Sequence, residues 1–184
     1  IDILDFFNYF CNEIVYNPRF VRTTGMTLLQ PIHHYIQMEE YIVSARKYRP
    51  MTFDTVVGQA ALTTTLKNAV KSGKLAHAYL FCGPRGVGKT TCARIFAKTI
   101  NCMNPTSEGE ACNECESCKS FNEQRSYNIF ELDAASNNSV ENIKALMEQT
   151  RIAPQIGRYK VFIIDEVHML STAAFNAFLK TLEE

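Results

Sequence analysis

Apolar residues along this chain fall into two kinds of run, and the two kinds alternate. In "GQAALTTTLKNAVKSGKL" the residues Ala61, Leu62, Leu66 and Val70 gather on one side of a helix. "AYLFCG" follows, a short apolar run closed by Gly83, which reads as a buried strand. "KTTCARIFAKTI" returns to helical spacing, and "NIFELDAA" is again strand-like. "SVENIKALMEQTRIAP" predicts a helix capped by Ser139, with Asn142 three residues on, and ended at Pro154. "RYKVFIIDE" predicts the most apolar strand, and "STAAFNAFLKTLEE" a last helix capped by Ser171. Strands separated by helices predict an α/β fold whose strands run parallel in βαβ units.

The first 37 residues read differently. Ile3, Phe7, Phe10 and Ile14 fall at helical spacing, Asp2 and Asp5 occupy the first turn, and "NPRF" breaks the pattern at Pro18. The expected division is a partly helical appendage or upstream sequence over 1–37 and a core over 38–184, with Met38 as a natural start. No function attaches to the appendage. The helical pattern is still running at Glu184, so the chain reads as a fragment.

Composition narrows the classes. Nineteen basic and nineteen acidic residues give zero net charge, so no global electrostatic footprint for nucleic acid exists and any such contact is local. The longest apolar runs, such as "VFII", fall far short of the roughly 20 residues that a membrane helix needs. The acidic "IDILDFF" start does not resemble a secretory signal. No membrane contact and a cytoplasmic location are therefore expected. Of seven cysteines four cluster tightly, which in such a protein points to metal rather than disulfides.

"GPRGVGKT", Gly83 to Thr90, matches G-x-x-x-x-G-K-[ST] in full, after a strand and at the opening of a helix. Its glycines let successive N–H groups turn inward as an anion nest, and the helix adds the positive end of its dipole. Lys89 is expected to reach the β and γ phosphates, and Thr90 to put its hydroxyl on Mg²⁺. Asp165 and Glu166 end the most apolar strand, where side chains project into the ligand crevice of open α/β sheets. Asp165 would hold the Mg²⁺ hydration shell, and Glu166 would orient or activate the attacking water. Adjacent acids after a strand also serve as plain helix caps, but the phosphate loop favours the catalytic reading. His77 and His168 read as local hydrogen-bonding residues.

Cys102, Cys112, Cys115 and Cys118 are spaced C-x9-C-x2-C-x2-C. Four thiolates suit a closed tetrahedral Zn²⁺ site, structural because no position is left for water. One rival is an iron–sulfur cluster, whose run needs a further cysteine followed by proline soon after; Asn122 stands there instead. The other is four ordinary reduced cysteines. Cys82 and Cys92 flank the phosphate loop and are expected to pack as small core residues, while Cys11 has no evident role. Upstream, "ARKYRPMTFDTVVGQ" offers Tyr48, Pro50, Val56 and Val57 as apolar walls for a nucleotide base.

Taken together, "ARKYRPMTFDTVVGQ", "HAYLFCGPRGVGKTT", the four-cysteine insert, "ELDAASNNSVENI" and "KVFIIDEVHMLSTAAFNAFLKTLEE" make residues 38–184 resemble the gamma/tau family of bacterial DNA polymerase III, which are AAA+ clamp-loader ATPases. The resemblance implies a P-loop NTPase core: a three-layer α/β fold on a parallel sheet, with a zinc insert at 102–118 and a C-terminus that is incomplete. It implies that Gly83, Pro84, Arg85, Gly86, Val87, Gly88, Lys89, Thr90 and Thr91 cradle ATP, with Tyr48 and Val57 near the adenine. Lys89, Asp165 and Glu166 would be catalytic, Thr90 and Asp165 would hold magnesium, and the four cysteines zinc. Partners would be the other subunits of a pentameric hetero-oligomer, the sliding clamp, and primer–template DNA reached through the assembled complex. Asn137, Asn138 and Ser139 would offer neutral hydrogen bonds to a DNA phosphate. Nucleotidyl transfer would belong to the polymerase holoenzyme and not to this chain. The family continues past Glu184 with the sensor strand, arginine finger, lid and collar. A chain ending at Glu184 is thus expected to bind nucleotide and hydrolyse it slowly, since such a finger contributes roughly 10³- to 10⁵-fold in rate. Two other readings are a nucleotide-independent zinc scaffold subunit, disfavoured by the intact Lys89 and Thr90, and another AAA+ DNA motor such as a branch-migration helicase, disfavoured by the cysteines.

Overall fold

A computed structural model describes residues 11–16, 48–150, 152–154 and 156–183 of the chain. Its centre is strand β4 (Val161–Asp165), whose first four residues are buried almost completely. Alternation along a strand sends neighbouring side chains to opposite faces. Val161 and Ile163 accordingly join one core, and Phe162 and Ile164 another. The first core is closed by helices α1 (Ala60–Ser72) and α2 (Lys89–Ile100), through Leu66, Ala93, Phe96 and Ile100. The second is closed by α4 (Val140–Thr150) and α5 (Thr172–Glu183), through Ile143, Leu146, Phe175 and Phe178. Two apolar faces on one sheet, each covered by helices, make three layers. Each fully buried large side chain contributes roughly 1.5–3 kcal/mol.

Strand β2 (Ala78–Cys82) leads into the phosphate loop, and β3 (Ile129–Asp133) pairs with β4 in parallel. A short helix, α3 (Glu116–Asn122), starts after Cys115 and carries Cys118. Both expected caps are present: Ser139 Oγ accepts from the Asn142 N–H at 3.2 Å, and Ser171 Oγ from the Ala174 N–H at 3.3 Å. The end of α4 is tied by the Lys160 ammonium, which donates to the carbonyls of Gln149 (2.6 Å) and Ile152 (3.1 Å).

The sheet departs from the expected arrangement in one respect. Its order is β2-β1-β4-β3, where β1 is Cys11–Tyr16, and β1 runs antiparallel to both neighbours. The strands from residue 78 onward share one direction, as their helical crossovers require, but the sheet is mixed and not wholly parallel. The helical reading of the first segment also fails at Ile14, which lies in β1 opposite Leu80 on one side and Ile164 on the other. The run Ile14, Val15, Tyr16 is β-branched and aromatic, and a slot with a strand on either side satisfies its backbone on both edges. Ile3, Phe7, Phe10 and Pro18 lie outside the described residues.

Candidate functional site

The loop between β2 and α2 curls because its glycines adopt conformations closed to other residues. Gly86 and Gly88 have φ of 82° and 90°, and Gly88 is the residue from which α2 starts. Gln59 Nε2 donates to the Val87 carbonyl at 3.1 Å and so holds the loop against the start of α1. Within the curl the Lys89 ammonium donates to the carbonyls of Gly83 (2.9 Å) and Pro84 (2.8 Å). A lysine folded onto its own loop carries its charge at the centre of the nest, where an anion would meet it.

Asp165 comes to the same place from the end of β4. Thr90 Oγ1 donates to Asp165 Oδ2 at 3.2 Å, a bond across 75 positions of sequence. Asp165 Oδ1 accepts from the Glu166 N–H at 2.9 Å. Glu166 itself sits in the left-handed region, φ 52°, a strained conformation for a glutamate. This turn aims its carboxylate back at the loop, 3.5 Å from Arg85 Nε and 3.5 Å from His168 Nδ1. Glu166 Oε2 and His168 Nδ1 are both buried without a hydrogen-bond partner. His168 is thus held beside the acid that the sequence singled out, although its own spacing gave no sign of it.

These groups surround one cavity of about 580 Å³, lined by Tyr48, Arg49, Pro50, Arg85, Gly86, Gly88, Lys89, Thr90, Thr91, Asp165 and Glu166. The lining is mainly polar and of mixed charge, with Tyr48 and Pro50 as its apolar wall. Tyr48 is therefore at the cavity, while Val57 is 94% exposed and is not among the lining residues. Asn137 Nδ2 donates to the Asp133 carbonyl and Ser139 Oγ is occupied as a cap, so of the three residues expected to face a DNA phosphate Asn138 has the most exposed side chain.

Four thiols form a second centre beyond the far end of α2. The sulfurs of Cys102, Cys112, Cys115 and Cys118 all lie within 4.8 Å of one another, with Cys102 at 3.4 Å from Cys112 and 4.0 Å from Cys115. A tetrahedral ion with bonds of roughly 2.3 Å needs sulfurs about 3.8 Å apart, so the spacing suits one ion at the middle. An iron–sulfur cluster, several atoms wide, would hold its thiolates further apart. Backbone N–H groups of Cys112 and Cys115 point at the sulfurs of Cys102 and Cys112, each at 3.3 Å, and fix their orientation. Burial pushes the thiols of Cys102 and Cys118 up. Burial also acts upward on Cys115, but the N–H groups of Met103 and Cys118 and the neighbouring thiols outweigh it and lower its pKa to about 6. One ready thiolate among buried sulfurs is a donor set suited to a soft divalent ion. Cys92 is fully buried as expected; Cys82 is exposed, because it ends β2 at the loop and faces away from the core.

Three buried side chains gave no signal in the sequence. Asn101 accepts from the N–H groups of Arg158 (3.2 Å) and Tyr159 (2.9 Å), seating the approach to β4 on the end of α2. Lys98 and Glu110 bind backbone of the segment around residues 51–54. Single polar residues carry no periodicity, so only their burial and partners reveal them.

Comparison with known proteins adds a family. Residues 58–184 match the family model described as DNA polymerase III, delta subunit. The chain is 52% identical over 139 residues to the DNA polymerase III subunit tau of Bacillus subtilis, an alignment covering 76% of this chain and 24% of that one. It is 51% identical over 144 residues to the subunit tau/gamma of Haemophilus influenzae, covering 78% and 21%. With the subunit tau of Escherichia coli the identity is 49% over 144 residues, covering 78% and 22%. The chain thus spans between a fifth and a quarter of the length of these relatives. Among the described residues no helix is long and apolar enough to cross a membrane.

Proposed function

The chain belongs to the DNA polymerase III, delta subunit, family and matches its tau/gamma members, and on that premise we propose that it is the ATP-binding part of a bacterial clamp-loader subunit. In this reading ATP binding and hydrolysis drive the placing of a ring-shaped sliding clamp on primed DNA, within a hetero-oligomer of five subunits in the cytoplasm. The observation that carries it is the Thr90–Asp165 hydrogen bond in front of the Lys89 loop. It joins a hydroxyl and a carboxylate at the spot where a magnesium–triphosphate would sit. A scaffold subunit without nucleotide would need neither Lys89 nor this pair.

Gly83–Thr91 would bind the phosphates through inward N–H groups, and Lys89 would leave its two carbonyls for the β and γ phosphates. Thr90 and Asp165 would hold Mg²⁺, which supplies charge neutralisation of the developing phosphate oxygens. Glu166, with one oxygen lacking a hydrogen-bond partner, would accept the proton of the water that attacks the γ phosphorus as the β–γ bridging bond breaks. Arg85 Nε lies 3.5 Å from that carboxylate, on the side facing the loop. Tyr48 and Pro50 would stand on the base side. The four cysteines would hold Zn²⁺ as a structural insert. Asn138, at the head of α4, would face the DNA backbone in the assembled complex.

Titration of the chain with a fluorescent ATP analogue in magnesium, beside Lys89→Ala, tests the reading. Saturable binding that the substitution weakens by about tenfold or more is the expected result. Equal binding by both proteins would return the chain to the scaffold alternative.

A further inference from the structure

The cysteine insert and the phosphate loop lie at opposite ends of α2, yet two buried side chains join the insert to the wall of the cavity. Lys98, 2% exposed, points its ammonium at three neutral oxygens from three separate segments. They are the Met51 carbonyl (2.8 Å), Asn113 Oδ1 (2.6 Å) and Asn122 Oδ1 (3.5 Å). Glu110, 7% exposed, accepts the N–H groups of Phe53 and Asp54, both at 3.1 Å, and lies 3.0 Å from the Lys67 ammonium. Burying a lysine on neutral acceptors is costly, and a core that needed only packing would use an apolar residue there. The ion is explained by what it fixes. Met51 follows directly on Tyr48, Arg49 and Pro50, which line the cavity.

Both clamps are tied to the thiol segment, Lys98 from α2 through Asn113 and Glu110 directly. Asn113 stands between Cys112 and Cys115, in a left-handed turn with φ 60°, and Glu110 precedes Cys112 by two residues. Closing the four sulfurs on an ion would therefore fix Glu110, which holds residues 53 and 54, and Asn113, which orients the Lys98 ammonium that holds Met51. We propose that Lys98 and Glu110 are positioning residues for the base side of the nucleotide site, through which the metal-held insert sets the affinity for the nucleoside half of the ligand. The inference rests on reading the cavity as a nucleotide site.

The zinc-loaded chain, Lys98→Met, Glu110→Gln and Lys89→Ala are titrated with ATP and, separately, with inorganic tripolyphosphate, with zinc content measured on each. Residues in one hydrogen-bond network couple energetically, and ATP affinity is expected to fall about tenfold in Lys98→Met. Tripolyphosphate, which has no base, should bind that variant as it binds the parent. Zinc removal from the parent should reproduce the fall, add nothing further in Lys98→Met, and raise hydrogen exchange at the Phe53 and Asp54 amides without any nucleotide. If Lys98→Met does not fold, Glu110→Gln and zinc removal carry the test. Unchanged ATP affinity in both, or equal losses for ATP and tripolyphosphate, would overturn the proposal. If Lys89→Ala loses both ligands while the other changes lose neither, the proposal alone falls. If Lys89→Ala binds tripolyphosphate like the parent, the nucleotide reading falls and takes the proposal with it.

Discussion

Helix α2 carries a different kind of polar site at each end. At its start the phosphate loop is open: its charged groups are part-exposed, its lysine rests on nearby carbonyls, and Glu166 keeps an oxygen without a hydrogen-bond partner. Past its other end, some 18 Å away for 12 residues, the thiols face inward on one another and two of the four are fully or almost fully buried. The first arrangement suits the proposed ligand that comes and goes. The second would be complete with a single ion seated, and would leave no position for a reactant. Groups proposed to turn over substrate are part-exposed, whereas groups proposed to hold the fold are closed off, and side chains of similar polarity stand at both ends.

The contrast predicts where damage appears. Cys118 has no exposure, and Cys118→Ser removes a ligand from a closed site. Loss of a structural metal belongs among the largest single-residue effects, so a stability loss of about 4 kcal/mol or more is expected. Metal analysis should fall from one zinc per chain to none, and denaturant unfolding should show the loss. A variant without zinc but of parental stability would break the comparison, because the insert would then be ornamental.

Glu166→Gln should act at the other end only. It keeps the side chain's shape but removes the proposed base, so single-turnover hydrolysis should slow by roughly 10²- to 10⁴-fold, with ATP affinity and zinc content unchanged. Hydrolysis at the parental rate would assign the proton to another group, and His168 at 3.5 Å is the nearest alternative. Lys89→Ala follows in size. A hydrogen bond to a charged group is worth about 1.5–3 kcal/mol, so losing one such contact with phosphate predicts a loss of affinity of about 10- to 150-fold by calorimetry. The unfolding midpoint should move far less, since both bonds lie at the open loop, where water replaces them.

The same contrast explains what was legible in the sequence. The phosphate loop, the apolar strand before Asp165, the two helix caps and the cysteine spacing are local patterns, and local patterns survive into the fold. β1 was not legible, because a short run such as Cys11–Tyr16 acquires its conformation from the strands on either side. Val57 reads as a base contact beside Tyr48, yet the 3-10 turn at Phe53–Thr55 redirects the chain and leaves Val57 in solvent. Lys98 and Glu110 could not be found by pattern at all. Their roles depend on partners 47 and 57 residues distant.

The smallest expected effect sharpens the comparison most, because it applies one chemical change to both ends. Gly109 and Gly86 have similar backbone angles, φ 76° and 82°. A methyl group on either meets the left-handed penalty, roughly 1–2 kcal/mol. Their surroundings differ. At Gly109 the new carbon would lie 3.1 Å from the Lys67 carbonyl oxygen and 3.2 Å from the Lys71 side chain, because the insert is seated tightly on α1. At Gly86 nothing lies within 4 Å. Gly109→Ala should therefore lose about 1 kcal/mol more in denaturant unfolding than Gly86→Ala, since a rigid core resists even one added methyl. Gly86→Ala should instead weaken tripolyphosphate binding, because the space around it is what the phosphates would fill. Equal stability losses would mean that the insert yields as freely as the open loop, and the distinction between a closed centre and a waiting one would lose its basis in packing.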